Sequence, residues 1–375
     1  MFLARLPGTA VGITLTLHVV TGLGRGYGAA GLVGTATTLG SAIGAPVAGR
    51  LIDRHGLRPV VATCGLASTG YYLATPHLPY EFLVLIALPA GMFAVPLGSI
   101  SRQVLTALVP PPHRRPAYTL DSISIESSFM IGPTVGIAVS TQISSTAALT
   151  GLGLTLAIVT VVLCLRNPPI RHPEDGPAGR PPLRTWLTPA LAATLIVIFG
   201  ALFCLIGTEV AVLAALRATG EVAWTGVVIT LMCVASIAGG MVHGAVRRSL
   251  SQPTLMVLLS VLVIPAGLFP HPWWLLALAL VPTNLLCAPT LSATAEQIGE
   301  LAPPGVRGQA MGLLDSATRL GVALGNPVVG FAIDHSTPAF GFAAAGSGGV
   351  VIAFAGLAVR RFAPARTRQE VPQFD

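Results

Sequence analysis

Several ionisable side chains lie inside long apolar segments of the chain, and they are the residues best placed to do chemistry. The candidates are His18, Arg102, Asp121, Glu126, Asp315 and Arg319. A charge inside a membrane-spanning helix costs roughly 2.5–3.5 kcal/mol on insertion scales, so such a residue usually faces a partner or a water-filled space. Carboxylates exchange protons, and arginine binds carboxylates through charge-assisted hydrogen bonds. These residue types therefore suit a site that binds and releases protons or a charged ligand.

Arg102 and Glu126 are predicted to lie at comparable depths on neighbouring antiparallel helices. They fall about 6 and about 9 residues inside their segments, or roughly 9 and 13 Å at 1.5 Å per residue. One interpretation is a buried switch in which the arginine pairs with a carboxylate that exchanges protons. The other is a static ion pair, or an arginine whose head reaches the interface while its stem stays buried. Asp121 lies on the same helix as Glu126 but nearer its start.

Asp315 and Arg319 are four residues apart on a predicted helix, so they share one face. A polar stripe of this kind most often faces the interior of a helix bundle, so both residues are candidates for lining a cavity. The alternative for Asp315 is a structural partner of nearby loops. His18 forms a polar face with Thr14 and Thr21 on the first helix. It either relays protons near neutral pH or simply hydrogen-bonds a neighbouring helix.

The composition indicates which elements hold these residues. The chain has 375 residues, of which 53% are hydrophobic and only 9% charged, whereas a soluble domain has about 25% charged residues. So much apolar surface needs a bilayer as its solvent. Apolar runs of this length predict an all-α, polytopic membrane protein with twelve transmembrane helices. The predicted helices lie near 7–24, 28–51, 59–75, 82–108, 117–139, 146–165, 188–212, 222–246, 254–270, 273–300, 308–333 and 337–361.

The arginines predict the orientation in the membrane. The net charge is +7, lysine is absent, and most arginines lie at one set of segment ends. Because cytoplasmic loops are enriched in basic residues, both termini are predicted to be cytoplasmic in the cell membrane, with only Arg25 and Arg217 in outer loops. Aromatic residues do not alternate with the arginines, so nucleic-acid binding is not expected. The five cysteines lack metal-ligand or redox spacing, so neither a metal site nor a cofactor is expected.

An internal repeat divides the chain into two halves. The stretch 108–111 (Leu-Val-Pro-Pro) recurs at 301–304 (Leu-Ala-Pro-Pro), and 120–122 (Leu-Asp-Ser) recurs at 314–316. The junction of helices 4 and 5 is thus repeated between helices 10 and 11, which predicts two pseudo-symmetric six-helix bundles. The predicted domains are an N-terminal bundle (1–165), a cytoplasmic linker rich in proline and arginine (166–187), a C-terminal bundle (188–361) and a cytoplasmic tail (362–375).

The most specific motif lies between the second and third predicted helices, from Gly49 to Arg58. It resembles the loop between helices 2 and 3 in the major facilitator superfamily of transporters. Gly49, Asp53, Arg54 and Gly56 match that family's pattern, and Arg58 stands one place beyond its basic position. The resemblance implies two bundles that rock around a central cavity and expose one site alternately to each side. It also implies that Asp53, with Arg54 and Arg58, latches the cytoplasmic mouth.

A second resemblance lies on the fifth helix. Gly132, Pro133 and Gly136 are similar to the Gly-Pro motif of proton-coupled exporters in that superfamily, and proline with glycines predicts a bend or hinge. The chain departs from the motif at Ile137, where the exporters have a second terminal glycine. It also has Ala87 where they commonly carry an arginine on helix 4, so their proton-relay role does not transfer to helix 4 of this chain.

The resemblance favours a secondary transporter and not an enzyme. A phosphate-binding loop needs a lysine, which the chain lacks, so pumping driven by ATP is not expected; hydrolase motifs such as His-Glu-x-x-His are also missing. The leading hypothesis is proton-coupled export of a small amphipathic compound, a drug or natural product, by a monomer. The first alternative is uptake or exchange of a sugar or another polar metabolite. The second is a membrane sensor or scaffold that does not transport.

Overall fold

The computed structural model describes residues 2–170, 182–246 and 249–361, and the regular secondary structure in these residues is helical. Half of the predicted linker (166–187) and all of the predicted tail (362–375) lie outside the described residues. The twelve long helices of the described part are α1 (Phe2–Gly22), α2 (Tyr27–His55), α3 (Leu57–Ala74), α4 (Tyr80–Leu108), α5 (Arg114–Gln142), α6 (Ser145–Arg166), α7 (Pro189–Ala218), α8 (Thr225–Ala245), α9 (Gln252–Leu268), α10 (Trp273–Leu301), α11 (Arg307–Asp334) and α12 (Pro338–Arg361).

Most of these helices have the length and the surface of membrane spans. Nine of the helices in the described residues are long and apolar enough to cross a bilayer, and α9 is a shorter apolar helix. Large apolar side chains such as Leu85, Leu165 and Val351 are 67–74% exposed. Lipid tails solvate such a surface, whereas water does not. The predicted all-α membrane fold with twelve helices is confirmed.

Each half of the molecule has its own apolar core. The core of the first half includes Leu15, Val33, Tyr71, Leu83 and Leu149, from α1, α2, α3, α4 and α6. The core of the second half includes Val212, Val228, Leu259, Leu276 and Phe342, from α7, α8, α9, α10 and α12. Because lipid is as apolar as these side chains, close packing and not exclusion from water holds the helices of each bundle together.

Two helices at equivalent positions of the repeat are interrupted near their middle. α4 consists of Tyr80–Met92 and Leu97–Leu108, and α10 consists of Trp273–Asn284 and Cys287–Leu301. Pro96 lies in the interruption of α4, and its missing N–H removes a hydrogen bond that a continuous helix needs. Paired interruptions of this kind point to a binding site at the level of the breaks.

Successive helices run in opposite directions, so their ends fall into two sets. We call one the arginine-rich end, because Arg5, Arg58, Arg114 and Arg307 lie there, at or near the ends of α1, α3, α5 and α11. At this end α2 and α3 are joined through the single residue Gly56, whose φ is +84°. Glycine adopts this backbone conformation without strain, which explains why the motif has glycine at the turn.

Candidate functional site

Asp53 joins the two halves at the arginine-rich end. Its Oδ1 accepts a hydrogen bond from the backbone N–H of Gly308 at 2.9 Å, and its Oδ2 accepts one from Gln309 at 2.8 Å. These N–H groups lie in the first turn of α11, where backbone donors have no partner within the helix and the helix dipole favours a negative charge. The Asp53 side chain is buried. It therefore binds α2 of the first half to α11 of the second.

The same two helices approach so closely that only small residues fit between them, and we call this contact the α2–α11 seam. A Cβ atom on Gly49 would lie 2.1 Å from the carbonyl oxygen of Gly308, and one on Gly312 would lie 2.4 Å from that of Ala45. One turn further along, the Ser316 hydroxyl donates to a carbonyl of α2. Gly308 and Gly312 are missing from the predicted site, although glycines four residues apart are a known signal of close helix contact.

Arg102 lies between two carboxylates that belong to different halves. Its Nη1 is 3.1 Å from Oδ1 of Asp315 on α11, and its Nε is 3.9 Å from Oδ2 of Asp121 on α5. Arg5 reaches Oδ1 of Asp121 at 2.7 Å, and the Ser101 hydroxyl donates to the same oxygen at 2.6 Å. Two arginines and two aspartates thus balance one another in a buried network. Asp121 and Asp315, which are equivalent in the repeat, share Arg102 across the interface.

A further ion pair joins the halves on the opposite side of the same end. Arg115 on α5 has its Nε 3.6 Å from Oε2 of Glu296 on α10. Its Nη1 donates to the carbonyl of Val246, just after α8, at 3.4 Å. The arginine-rich end is therefore closed by contacts on both sides: the α2–α11 seam with Asp53 and Arg102, and the α5 contacts with α8 and α10.

Glu126 lies where α5 meets α8 and α10 of the second half. The structure pairs Arg102 with the two aspartates and not with Glu126, which corrects the expected pair of Arg102 and Glu126. The Sγ of Cys287 on α10 is 3.2 Å from Oε1 of Glu126, and the Ser236 hydroxyl on α8 is within hydrogen-bonding reach. Among the described residues, no arginine or histidine influences this carboxylate electrostatically. Glu126 therefore lies at the interface without a basic partner.

Glu209 on α7 is a second carboxylate near the same place. It interacts electrostatically with Glu126, and Cys233 on α8 lies close to both acids. The Glu209 side chain is exposed. Glu209 is missing from the residues that the sequence predicts for the site. No spacing rule relates Glu209 to Glu126, because the two helices that carry them belong to different halves.

Arg319 on α11 is a cation without a carboxylate partner in the described part of the chain. Its natural partner would be Asp315, one turn earlier on the same face, but that carboxylate is held by Arg102. The Nε of Arg319 is buried and has no hydrogen-bond acceptor. Tyr72 on α3 is an electrostatic neighbour of the guanidinium. Asp315 and Arg319 share one face of α11 as predicted. Asp315 binds Arg102, whereas Arg319 has no carboxylate partner among the described residues.

The exposure of two interface faces shows where the halves separate. On α11, the face that packs on α2 at Gly312 and Ser316 carries Arg319 and then Asn326, seven residues further, which is exposed. On α5, the face that packs on α8 at Ile123 carries Glu126 and then Ile137, which is 42% exposed. Both faces lose their partner beyond the charged residue. From this exposure we infer a central cavity that opens toward the end opposite the arginines, with Glu126 and Arg319 near its floor.

Two other predicted residues are bonded within the first half. The Nδ1 of His18 is 3.1 Å from Oγ of Ser145 on α6, and the imidazole is buried. The Nε of Arg58 donates to the carbonyl of Cys164, also on α6, at 2.9 Å. The His18 contact fits its structural alternative, and the hydrogen bond of Arg58 lies within the first half. Arg54 is exposed at the arginine-rich end.

The glycines of the Gly-Pro motif lie where α5 packs against α1. A Cβ on Gly132 would meet Thr9 Oγ1 at 2.0 Å, and one on Gly136 would meet Thr14 Oγ1 at 2.7 Å. α5 is one helix from Arg114 to Gln142, with Pro133 inside it. The structure thus gives these glycines a packing contact, and bending during function stays a prediction.

In the described residues, no group of three or more His, Cys, Asp and Glu side chains is arranged to hold a metal ion. The site is instead a cavity floor with acidic groups on α5 and α7, a cation on α11, and a closed end beneath them. This arrangement can bind a small ligand or protons from one side of the molecule.

Comparisons with known proteins agree on the architecture. The sequence profile of the family described as Major Facilitator Superfamily matches residues 1–270. No curated protein sequence matches the chain. Three similar solved structures cover nearly the whole length. They are the human organic anion transporter MFSD10 (16% identity, 95% of this chain and 97% of that chain, TM-score 0.72), a bacterial homologue of the iron transporter ferroportin in its outward-facing state (15%, 96% and 97%, 0.74) and the E. coli fucose:proton symporter FucP (15%, 96% and 96%, 0.67). At these identities the likeness shows the fold.

Proposed function

The chain belongs to the major facilitator superfamily, and from that premise we propose that it exports a small amphipathic compound in exchange for protons. Members of the family are membrane transporters and not enzymes, so transport itself follows from membership. The export direction, the proton coupling and the kind of substrate are the proposal. The transporter acts as a monomer in the cell membrane, by alternating access of two halves, 1–165 and 188–361, to the two sides.

One observation carries the proton coupling: Glu126 lies at the interface of the halves with no basic group among its described neighbours. A carboxylate in this position can be neutralised by a proton or by the donor or cationic group of a substrate, but not by both at once. Competition of this kind makes proton binding and substrate binding mutually exclusive, which is the requirement for exchange. Arg102, Asp121 and Asp315 satisfy one another, so they suit the closing of the end better than proton exchange.

The orientation follows from charge. Because basic residues accumulate in cytoplasmic loops, we assign the arginine-rich end to the cytoplasm. The structure then corresponds to the state in which the cytoplasmic mouth is closed by Asp53, Arg102 and Arg115 and the cavity is open to the outside. Rocking of the halves would break these three contacts and open the cavity inward.

Transport in proteoliposomes tests the proposal. A panel of amphipathic compounds is offered to vesicles with an acidic interior, and we expect uptake into the vesicles that collapses when the gradient is removed. Glu126→Gln should transport without responding to the gradient, because the amide cannot carry a proton. Glu81→Gln is the matched control, since Glu81 pairs with Arg25 on the exposed surface. Flux by the unmodified protein that ignores the gradient would refute the coupling.

The same assay distinguishes the proposed export from the alternative, which is uptake of a polar metabolite. A proton symporter for sugars would accumulate its substrate when the vesicle exterior is acidic, which is the opposite gradient. Sugar sites commonly use aromatic faces, but Trp224 and Trp273 stack on each other at 4.4 Å at the outer end, and Trp186 is buried. Two of the four tryptophans thus stack on each other and a third is buried, which supports an amphipathic compound over a sugar.

A further inference from the structure

Two uncompensated charges of opposite sign lie at the same depth of the molecule. Glu126 is twelve residues after Arg114, where α5 begins, and Arg319 is twelve residues after Arg307, where α11 begins. At 1.5 Å per residue each lies about 18 Å along its helix from the arginine-rich end. α5 and α11 are equivalent in the repeat. One half therefore contributes an acid to the cavity floor where the other contributes a base.

The two charges face different sides of the cavity. Glu126 has its neighbours on α7, α8 and α10, namely Glu209, Ser236 and Cys287. Arg319 lies on the seam face of α11, and its electrostatic neighbour in the first half is Tyr72 on α3. Within the described residues no ion pair joins Arg319 to either glutamate. The floor is thus negative on the side of α5 and positive on the side of α11.

Arg319 is kept available for an anion by its surroundings. The aspartate one turn away is engaged by Arg102 at 3.1 Å, and Nε is buried without an acceptor. A guanidinium presents a planar fork of donors that matches a carboxylate or phosphate. A buried donor without a partner is unfavourable, so a ligand that brings an acceptor gains more here than at an exposed arginine.

We propose that the substrate is zwitterionic, with its cationic group bound by Glu126 and Glu209 and its anionic group bound by Arg319. The proposal rests on the proposed function, because it names the substrate of that same site. It also fits the exchange with protons. The cationic group competes with protons at the glutamates, whereas the anionic group occupies a site that protons leave unchanged.

Binding of three small probes to the purified full-length protein tests this without any gradient. The probes are 4-(aminomethyl)benzoate, benzylamine and benzoate, which share one ring and carry both charges, the cation alone or the anion alone. Dissociation constants come from the ligand-induced rise in unfolding temperature in detergent at neutral pH. We expect the zwitterion to bind roughly tenfold or more tightly than either single ion, since it forms both charge-assisted contacts.

Variants assign each contact. Arg319→Gln should lower the affinity for the zwitterion to that for benzylamine and leave benzylamine unchanged, and Arg319→Lys should restore part of the difference. Glu126→Gln with Glu209→Gln should weaken benzylamine and the zwitterion but not benzoate. Arg217→Gln, at the exposed end of α7, is the matched control. Each variant is compared with its own unliganded unfolding temperature, so altered stability does not mimic lost binding.

Several outcomes would overturn the proposal. They are equal affinities for the zwitterion and benzylamine, an undiminished difference in Arg319→Gln, or no binding of any probe. Equal effects of Arg319→Gln and Glu126→Gln on all three probes would show that these residues pair with each other. Failure of the proposed function is distinguishable, because it appears as flux that ignores the proton gradient while zwitterion binding persists. Gradient-driven transport with binding of cations alone would instead refute only the present inference.

Discussion

At the scale of single residues, Asp53 shows how a motif acts through atoms that lie far away in the sequence. The motif suggests a latch built from an aspartate and its neighbouring arginines. In the structure the aspartate binds the free N–H groups at the start of α11, where a negative charge is favoured by the helix terminus. The contact is therefore between a charge and a helix end, and it exists only while the halves are together at this end.

Asp53→Asn should weaken this closed state. The amide keeps one acceptor but turns an NH₂ group toward a backbone N–H, and leaving a buried donor unsatisfied costs about 1–3 kcal/mol. The expected result is a larger distance between spin labels at His113 and Ser251, which lie exposed at the arginine-rich end of the two halves. Asp334→Asn, at the other end of α11, should leave the distance unchanged. An unchanged distance in Asp53→Asn would argue against the latch.

The sequence identified the charges of the site but not their partners. Arg102, Asp121, Glu126, Asp315 and Arg319 stand out because a charge in an apolar run is rare. Which of them pair depends on how the halves dock, and Arg102 and Asp315 are 213 residues apart. Local spacing carries no information on such contacts. The same reason explains why Glu209 is missing from the residues that the sequence predicts for the site.

At the scale of helices, the sequence predicted most of the fold. Hydrophobic length located all twelve helices, because a span needs about 20 apolar residues, and the repeat paired the helices of the two halves. The interruptions of α4 and α10 were not predicted, since proline and glycine are frequent in membrane helices and do not always break them. Helix packing at the α2–α11 seam was also missed, although it determines how tightly the end closes.

Gly312→Ala tests the seam. The added Cβ would lie 2.4 Å from the carbonyl oxygen of Ala45 and 2.7 Å from Cα of Pro46, both backbone atoms that cannot rotate away. Overpacking of this kind typically costs about 1–3 kcal/mol, and here it falls on the closed state. We expect the labels at the arginine-rich end to move apart. Gly330→Ala on the same helix is the matched control, because its Cβ meets nothing within 4 Å; a similar effect of both substitutions would contradict the seam.

At the scale of the whole molecule, the conformational state is the property that sequence could not supply. Both states of an alternating-access protein use the same helices and the same apolar faces, and only the interface contacts differ. The structure fixes one state through the contacts of Asp53, Arg102 and Arg115 at the arginine-rich end. The exposure of Asn326, a polar side chain on the seam face of α11, indicates the opening at the other end.

Cysteine accessibility tests this state in intact cells. In a background without the five native cysteines, Asn326→Cys should react rapidly with a membrane-impermeant maleimide added outside, because Asn326 is exposed in the cavity beyond Arg319. Ser316→Cys, ten residues earlier on α11 and buried against α2, should be protected. Adding Asp53→Asn should slow the reaction at 326, since weakening the closed end shifts the population toward the state open at the arginine-rich end. Rapid labelling at 316 from outside, or labelling at 326 that Asp53→Asn leaves unchanged, would show that the two ends do not open alternately.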